Sequence, residues 1–213
     1  MNVDVAKVYI VEDDDAVRES LQLVLESVGY KTQSFASANA FLDSYDSDLA
    51  GCLVLDIRMP GMSGMELQRK LNERNSILPI IFVTGHGDVP MAVEAMQQGA
   101  LDFVQKPYRE QELLEKIEHA FKIDVANRTS LQQRQAIATR LQNLTPRELD
   151  VLRLMIEGKA NKVIAIDLDI SQRTVEIHRA RVMEKLEANS LAHLVRMVMA
   201  VDPTLLHPST GAE

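Results

Sequence analysis

Polar residues stand wherever the short apolar runs of the first half of the chain end. Glu12-Asp13-Asp14-Asp15 follows Val8-Tyr9-Ile10-Val11, and Asp56 follows Cys52-Leu53-Val54-Leu55. Thr84 closes Pro79-Ile80-Ile81-Phe82-Val83, and Lys106 lies just past Asp102-Phe103-Val104. If those runs are parallel strands, their carboxyl ends border one ligand crevice, and the four groups converge in it. Carboxylates brought together repel one another unless they are protonated or share a cation, and a small set of hard oxygen ligands suits Mg2+, with Mn2+ able to substitute. Such an assembly suits phosphoryl transfer. Asp56 can form an acyl phosphate as a nucleophile, while the cation and the Lys106 ammonium neutralise charge on the equatorial oxygens and the Thr84 hydroxyl donates to one of them. Taken singly, each residue has a plainer use. The acidic run can cap a helix, Asp56 can be a turn acid, Thr84 can cap a loop, and Lys106 can be solvated. His86 reads as a loop residue. The joint placement at strand ends favours the pocket.

The elements that must position these groups alternate strand and helix. Lys31 to Phe35 adds a short second strand. Val17, Leu21, Val24, Leu25 and Val28 recur at helical spacing and stop at Gly29, and further helical patterns cover 38–45, 65–72, 88–97 and 109–122. The continuous apolar runs are those of strands covered on both faces. The expected fold is α/β, a doubly wound five-stranded parallel sheet with helices on both faces. From Tyr108 to Thr145 there is neither Pro nor Gly. A helical linker over 123–143 fits, and so does a helix that ends near Ile123 and gives way to a polar linker. The final third shows no strand pattern but four helical stretches, near 146–157, 160–168, 172–186 and 190–200, which suit an all-α helix-turn-helix module.

Composition bounds these readings. Of 213 residues, 46% are hydrophobic and 25% charged, which excludes disorder as the main state and leaves room for two small domains. The lone Cys52 cannot form an intrachain disulfide, and no CxxC offers a zinc site. The first residues carry no cleavage signal, and no apolar stretch approaches the roughly 18–20 residues that span a bilayer. A reduced, cytoplasmic protein with no membrane partner is expected. The net charge of −8 hides a split: residues 1–124 hold 11 Lys and Arg against 21 Asp and Glu, whereas residues 125–213 hold 12 against 10. Two modules with different partners would produce that asymmetry.

The strongest output signal is Ser171 to Leu186. Ser171 is placed to cap a helix on which Val175, His178, Val182 and Leu186 share the inward face. Arg173, Thr174, Glu176, Ile177, Ala180, Arg181 and Lys185 are then outward. A face rich in arginine, with apolar Ile177 and Ala180 for a thymine methyl, can enter a major groove. The plainer alternative is a charged, solvated helix, with His178 as a hydrogen-bonded core residue.

VYIVEDD, LVLDIRMPGMSG, IIFVTGHGD and DFVQKP, in that order, resemble the receiver domain of two-component response regulators over residues 7–122. The resemblance implies that Asp56 takes a phosphoryl group from a histidine kinase. It also implies that Asp13, Asp56 and the Arg58 carbonyl hold Mg2+ with Glu12 acting through water. Thr84 and Lys106 would touch the phosphoryl oxygens, Phe103 would be a switching aromatic coupled to Thr84, and Lys106–Pro107 would be cis. Glu12 stands where many members have Asp. Phe103 read by itself is a plain core aromatic.

LTPRELDVLRLMIEGKANKVIAIDLDISQRTVEIHRARVMEKL is similar to the LuxR-type helix-turn-helix, with Lys162 to Leu168 as scaffold helix, Lys162 at its start a DNA contact, and Arg173 to Leu186 as recognition helix. Together these motifs resemble FixJ/NarL-type transcription factors. The implied organisation is a receiver over 1–122, a linker over 123–143, a DNA-binding domain over 144–202 and a flexible tail over 203–213. The implied partners are a sensor histidine kinase, promoter double-stranded DNA, a second copy of the chain on phosphorylation, and RNA polymerase. A phosphatase acting on exogenous substrates is disfavoured, because the second acid expected two residues after the nucleophile is Arg58. The expected chemistry is confined to the protein's own phosphorylation and dephosphorylation.

Overall fold

The computed structural model describes residues 6–85 and 89–202. His86 and the tail from 203 onward lie outside the described residues. The chain forms two compact units that divide after Arg128.

The first unit alternates strand and helix: β1 (Lys7–Val11), α1 (Asp15–Ser27), β2 (Lys31–Phe35), α2 (Ala38–Ser44), β3 (Gly51–Leu55), α3 (Gly64–Glu73), β4 (Ile80–Thr84), α4 (Val89–Gln97), β5 (Asp102–Gln105) and the start of α5 (Glu110–Gln142). The five strands are parallel in the order β2-β1-β3-β4-β5. Register pairs Val11 with Leu55, Leu55 with Phe82 and Thr84 with Gln105, so β1 and β3 end level while β4 and β5 run on two residues further and end level with each other.

Alternation explains why β1, β3 and β4 are apolar throughout. Tyr9, Val11, Leu53, Leu55 and Phe82 face one layer and pack against Phe41, Leu67 and Leu71. Val8, Ile10, Cys52, Val54, Ile81 and Val83 face the other and pack against Leu21 and Leu25 of α1 and Leu113, Ile117 and Ala120 of α5. The helical stripe expected on α1 stops at Leu25, because Val28 is 53% exposed. Val28 is the C-cap, and Gly29 at φ 92° turns the chain away from the core.

α5 is one helix through Gln142. Val125 and Leu131, apolar residues along its second half, are 62% and 42% exposed. Asp124 is buried in their place. In the second unit, α6 (Pro146–Ile156), α7 (Asn161–Asp167), α8 (Gln172–Lys185) and α9 (Leu191–Val201) enclose Leu152, Met155, Ile164, Val175, Val182, Leu186 and Leu194, with Ile137 and Leu141 packed on that core. Thr145 and Glu148 form a capping box on α6, and Ser171 and Ser190 cap α8 and α9. Among the described residues, no helix is long and apolar enough to cross a membrane.

Candidate functional site

Backbone pairing builds the pocket. The Asp56 N–H donates to the Val11 carbonyl at 2.9 Å, which sets Asp56 beside the end of β1. The Lys106 N–H donates to the Thr84 carbonyl at 2.8 Å, and Lys106–Pro107 is cis. Carboxylate oxygens of Glu12, Asp13 and Asp56 lie within 4.8 Å of one another. Glu12 and Asp56 are buried, Asp13 is exposed, and Thr84 is only 1% exposed. The Lys106 Nζ donates to Glu12 Oε2 at 2.6 Å. The structure therefore brings together Glu12, Asp13, Asp56, Thr84 and Lys106 from four strand ends. The acidic run is divided in use: Glu12 and Asp13 face the pocket, while Asp14 caps α1 by accepting from the Val17 N–H at 3.0 Å. Arg58 follows β3 with its side chain in solvent. Phe103 is half-buried and packs on the core layer beneath α2 and α3.

Burial pushes the Glu12 carboxyl above the usual carboxylate range; the Lys106 ammonium opposes the rise, and the nearby Asp56 and Asp13 charges add to it. Asp56 Oδ1 is buried without a hydrogen-bond partner among the described residues. A buried carboxylate oxygen with no protein donor, within a set of three acids, is the kind of hard oxygen that a divalent cation takes as ligand, so the residues fit Mg2+.

Gly64, the last residue of LVLDIRMPGMSG, supports the pocket by having no side chain. A Cβ there would lie 2.2 Å from the Asp56 carbonyl oxygen, while the Gly64 N–H donates to the Ile57 carbonyl at 2.9 Å. Only glycine lets the start of α3 close over the backbone that carries Asp56. The signal was Gly64 itself, eight residues after the acid.

On α8, Val175, Val182 and Leu186 are buried and Arg173, Glu176, Ile177, Ala180 and Arg181 are exposed, as is Lys162 on α7. Thr174 is half-buried and its Oγ1 lies 2.8 Å from the Ser171 Oγ at the cap. His178 is half-buried too, and its Nδ1 has no partner among the described residues. Lys185, expected to face outward with the arginines, is held at home. Its Nζ donates to Glu148 Oε2 at 2.6 Å and to the Asn143 carbonyl at 3.2 Å. That ammonium, helped by the Thr145 cap, holds the buried Glu148 carboxyl down to about 2.

Comparison with known proteins bears on both units. Residues 8–118 match the family described as response regulator receiver domain, and residues 142–198 match the bacterial regulatory proteins of the luxR family. The chain is 49% identical over 193 residues to the transcriptional regulatory protein FixJ of Rhizobium meliloti, covering 91% of this chain and 95% of that one. It is 42% identical over 205 residues to the response regulator protein TmoT of Ectopseudomonas mendocina, covering 96% and 93%. Among solved structures, the response regulator StyR superposes with a TM-score of 0.79 at 44% identity, covering 91% of this chain and 98% of that one.

The chain is a response regulator of the FixJ type. As such it is a two-component, DNA-binding transcriptional regulator, with a flavodoxin-like receiver and a LuxR-type helical domain. In this response regulator the acidic pocket lies in the receiver, and the exposed arginines of α8 lie in the LuxR-type domain.

Proposed function

We propose that Asp56 accepts a phosphoryl group from a sensor histidine kinase and that the acyl phosphate switches promoter binding. One observation carries the reading: Asp56 Oδ1 is buried and unpartnered beside Glu12 and Asp13, with Lys106 within the same pocket. In the transfer, an Asp56 carboxylate oxygen forms the new P–O bond as the P–N bond to the donor imidazole breaks, and the imidazole leaves with the bonding pair. Lys106 is placed to exchange its bond to Glu12 for the incoming phosphoryl oxygens. Thr84, level with the pocket at the end of β4, supplies a hydroxyl that can donate to the same group. Asp13, Asp56 and the Arg58 carbonyl, with Glu12 through water, would hold Mg2+ or Mn2+, which when bound would neutralise charge that gathers there.

The output follows from the second half of the receiver. Thr84 drawn toward the phosphoryl group and Phe103 moving inward reshape the face of α4 and β5, where Val93 and Met96 are 48% and 45% exposed. That face suits a homodimer, and two LuxR-type domains then span a two-fold promoter site with RNA polymerase as a further partner. Lys162, Arg173, Thr174, Glu176, Ile177, Ala180 and Arg181 form the DNA-facing set; Lys185 leaves it, because its ammonium serves Glu148. The protein acts in the cytoplasm and turns over no exogenous substrate.

The test is intact mass after incubation with acetyl phosphate. Wild type should gain one phosphoryl group only with Mg2+, and Asp56→Asn should gain none. An adduct of equal yield on the variant would remove Asp56 from the role.

A further inference from the structure

Arg173, Glu176, Ile177 and Ala180 stand at i, i+3, i+4 and i+7 on α8 and so share one stripe. All four are exposed, and the buried Val175 and Val182 fix the opposite side as the inward one. Three of the four suit a stripe that enters DNA. Arg173 offers a planar fork of donors to guanine or phosphate, Ile177 offers methyl groups to a thymine methyl, and Ala180 leaves room for close approach.

Glu176 does not fit that description. Every phosphate repels its carboxylate, and its exposure shows that the core does not need it. Nor does it serve as an internal anchor. Glu148 is held by Lys185 and Glu187 by Arg140, whereas among the described residues Glu176 has no ion-pair partner. An unpaired acid in a groove-facing stripe lowers affinity for any DNA, so its use there is discrimination. A carboxylate can only accept. In the major groove, guanine shows N7 and O6 and thymine shows O4, all acceptors that repel it. Adenine places its N6 donor beside the N7 acceptor, which repels the second carboxylate oxygen. The cytosine edge offers the N4 amino group with no acceptor of its own beside it.

We propose that Glu176 is a specificity-determining residue of the DNA interface, accepting a hydrogen bond from the N4 amino group of a cytosine in the major groove and rejecting guanine and thymine at that position. The inference rests on α8 being the helix that reads DNA.

The test is site selection from a randomised duplex pool with the full chain, after acetyl phosphate and Mg2+, comparing wild type, Glu176→Ala and Glu176→Gln. Wild type should select a motif with one cytosine per half-site favoured about ten- to a hundredfold over the other bases. Glu176→Ala should accept all four bases there, keep the preferences elsewhere, and bind unrelated duplex more tightly. Glu176→Gln, which keeps the shape but adds a donor, should move the preference to adenine, a change that a structural role would not produce. A motif left unchanged by both variants overturns the proposal, as does a preference lost evenly across all positions. Wild type that binds no duplex at all fails the underlying DNA-reading assignment instead, and the inference falls with it.

Discussion

The Asp124 carboxylate on α5 accepts the backbone N–H of Gly51, at the entry to β3, at 2.9 Å. Asp124 is 2% exposed, and Arg128 one turn later donates its Nε to both Asp124 oxygens and its other nitrogens to the carbonyls of Asp48 and Leu49. Gly51 is fixed as glycine, since its φ is 126° and a Cβ would lie 1.8 Å from the Lys7 carbonyl oxygen. The strand that leads to Asp56 is therefore pinned at its start by α5 residues that lie beyond residue 118, where the likeness to receiver domains ends.

Asp124→Ala leaves a buried N–H unsatisfied and removes the partner of Arg128. The receiver transition in urea should lose about 2–3 kcal/mol at unchanged slope. A receiver ending at residue 122 should show the same loss relative to one ending at 128. Equal stability of the two truncations would show that the link contributes nothing.

Metal binding should be visible as stability. A ligand at a hundred times its Kd adds about 2.7 kcal/mol, so saturating Mg2+ should raise the Tm of the receiver transition, and Asp13→Asn should abolish most of the rise. Burial holds the Glu12 carboxyl above the usual carboxylate range, so protons compete with the metal at pH values above that range. The Mg2+-dependent rise should shrink as pH falls into that window. A rise that survives Asp13→Asn places the ion elsewhere.

The Glu148–Lys185 pair sets an acid limit on the LuxR-type domain. With its folded value lowered to about 2, Glu148 contributes stability that is present above the ordinary carboxylate value and lost as pH falls towards 2. Calorimetry should show the transition of this domain falling in that window in wild type and falling less steeply in Glu148→Gln. Lys185→Ala strands a buried carboxylate and should destabilise the domain most at neutral pH. Parallel pH profiles for all three chains would remove the pair from this role.

The pocket was legible because three of the four contributing strands are apolar runs that stop at their polar residue: Val11 before Glu12, Leu55 before Asp56, Val83 before Thr84. Period and burial alone locate those ends. The Asp124–Gly51 link was not legible, since it joins a side chain to a backbone N–H 73 residues away, and residue types do not record backbone donors. The tie of Lys185 to Glu148 was not legible for a related reason. Periodicity puts Lys185 on the outward side, but a four-carbon stem reaches around the helix to a buried acid on α6. Val125 and Leu131 showed apolar residues continuing along α5, yet both are exposed, because spacing cannot tell a covered face from a bare one.

One turn residue is open to improvement. Asp169 sits at φ 52°, left-handed backbone in which a Cβ is strained, where the chain leaves α7. The Asp169 N–H donates to the Ile166 carbonyl at 3.2 Å and the Ile170 N–H to the Ala165 carbonyl at 3.0 Å, which closes the helix, and Ile170 packs on the domain core. The backbone geometry is thus held by its neighbours, and the Asp169 side chain is exposed. Asp169→Gly should stabilise the LuxR-type domain by about 0.5–1 kcal/mol in chemical denaturation, as relief of the strained Cβ outweighs the added flexibility of the unfolded chain. Asp169→Ala keeps the Cβ and should bring no gain. If alanine stabilises as much as glycine, removal of the acidic charge is the cause and the left-handed turn is not under strain.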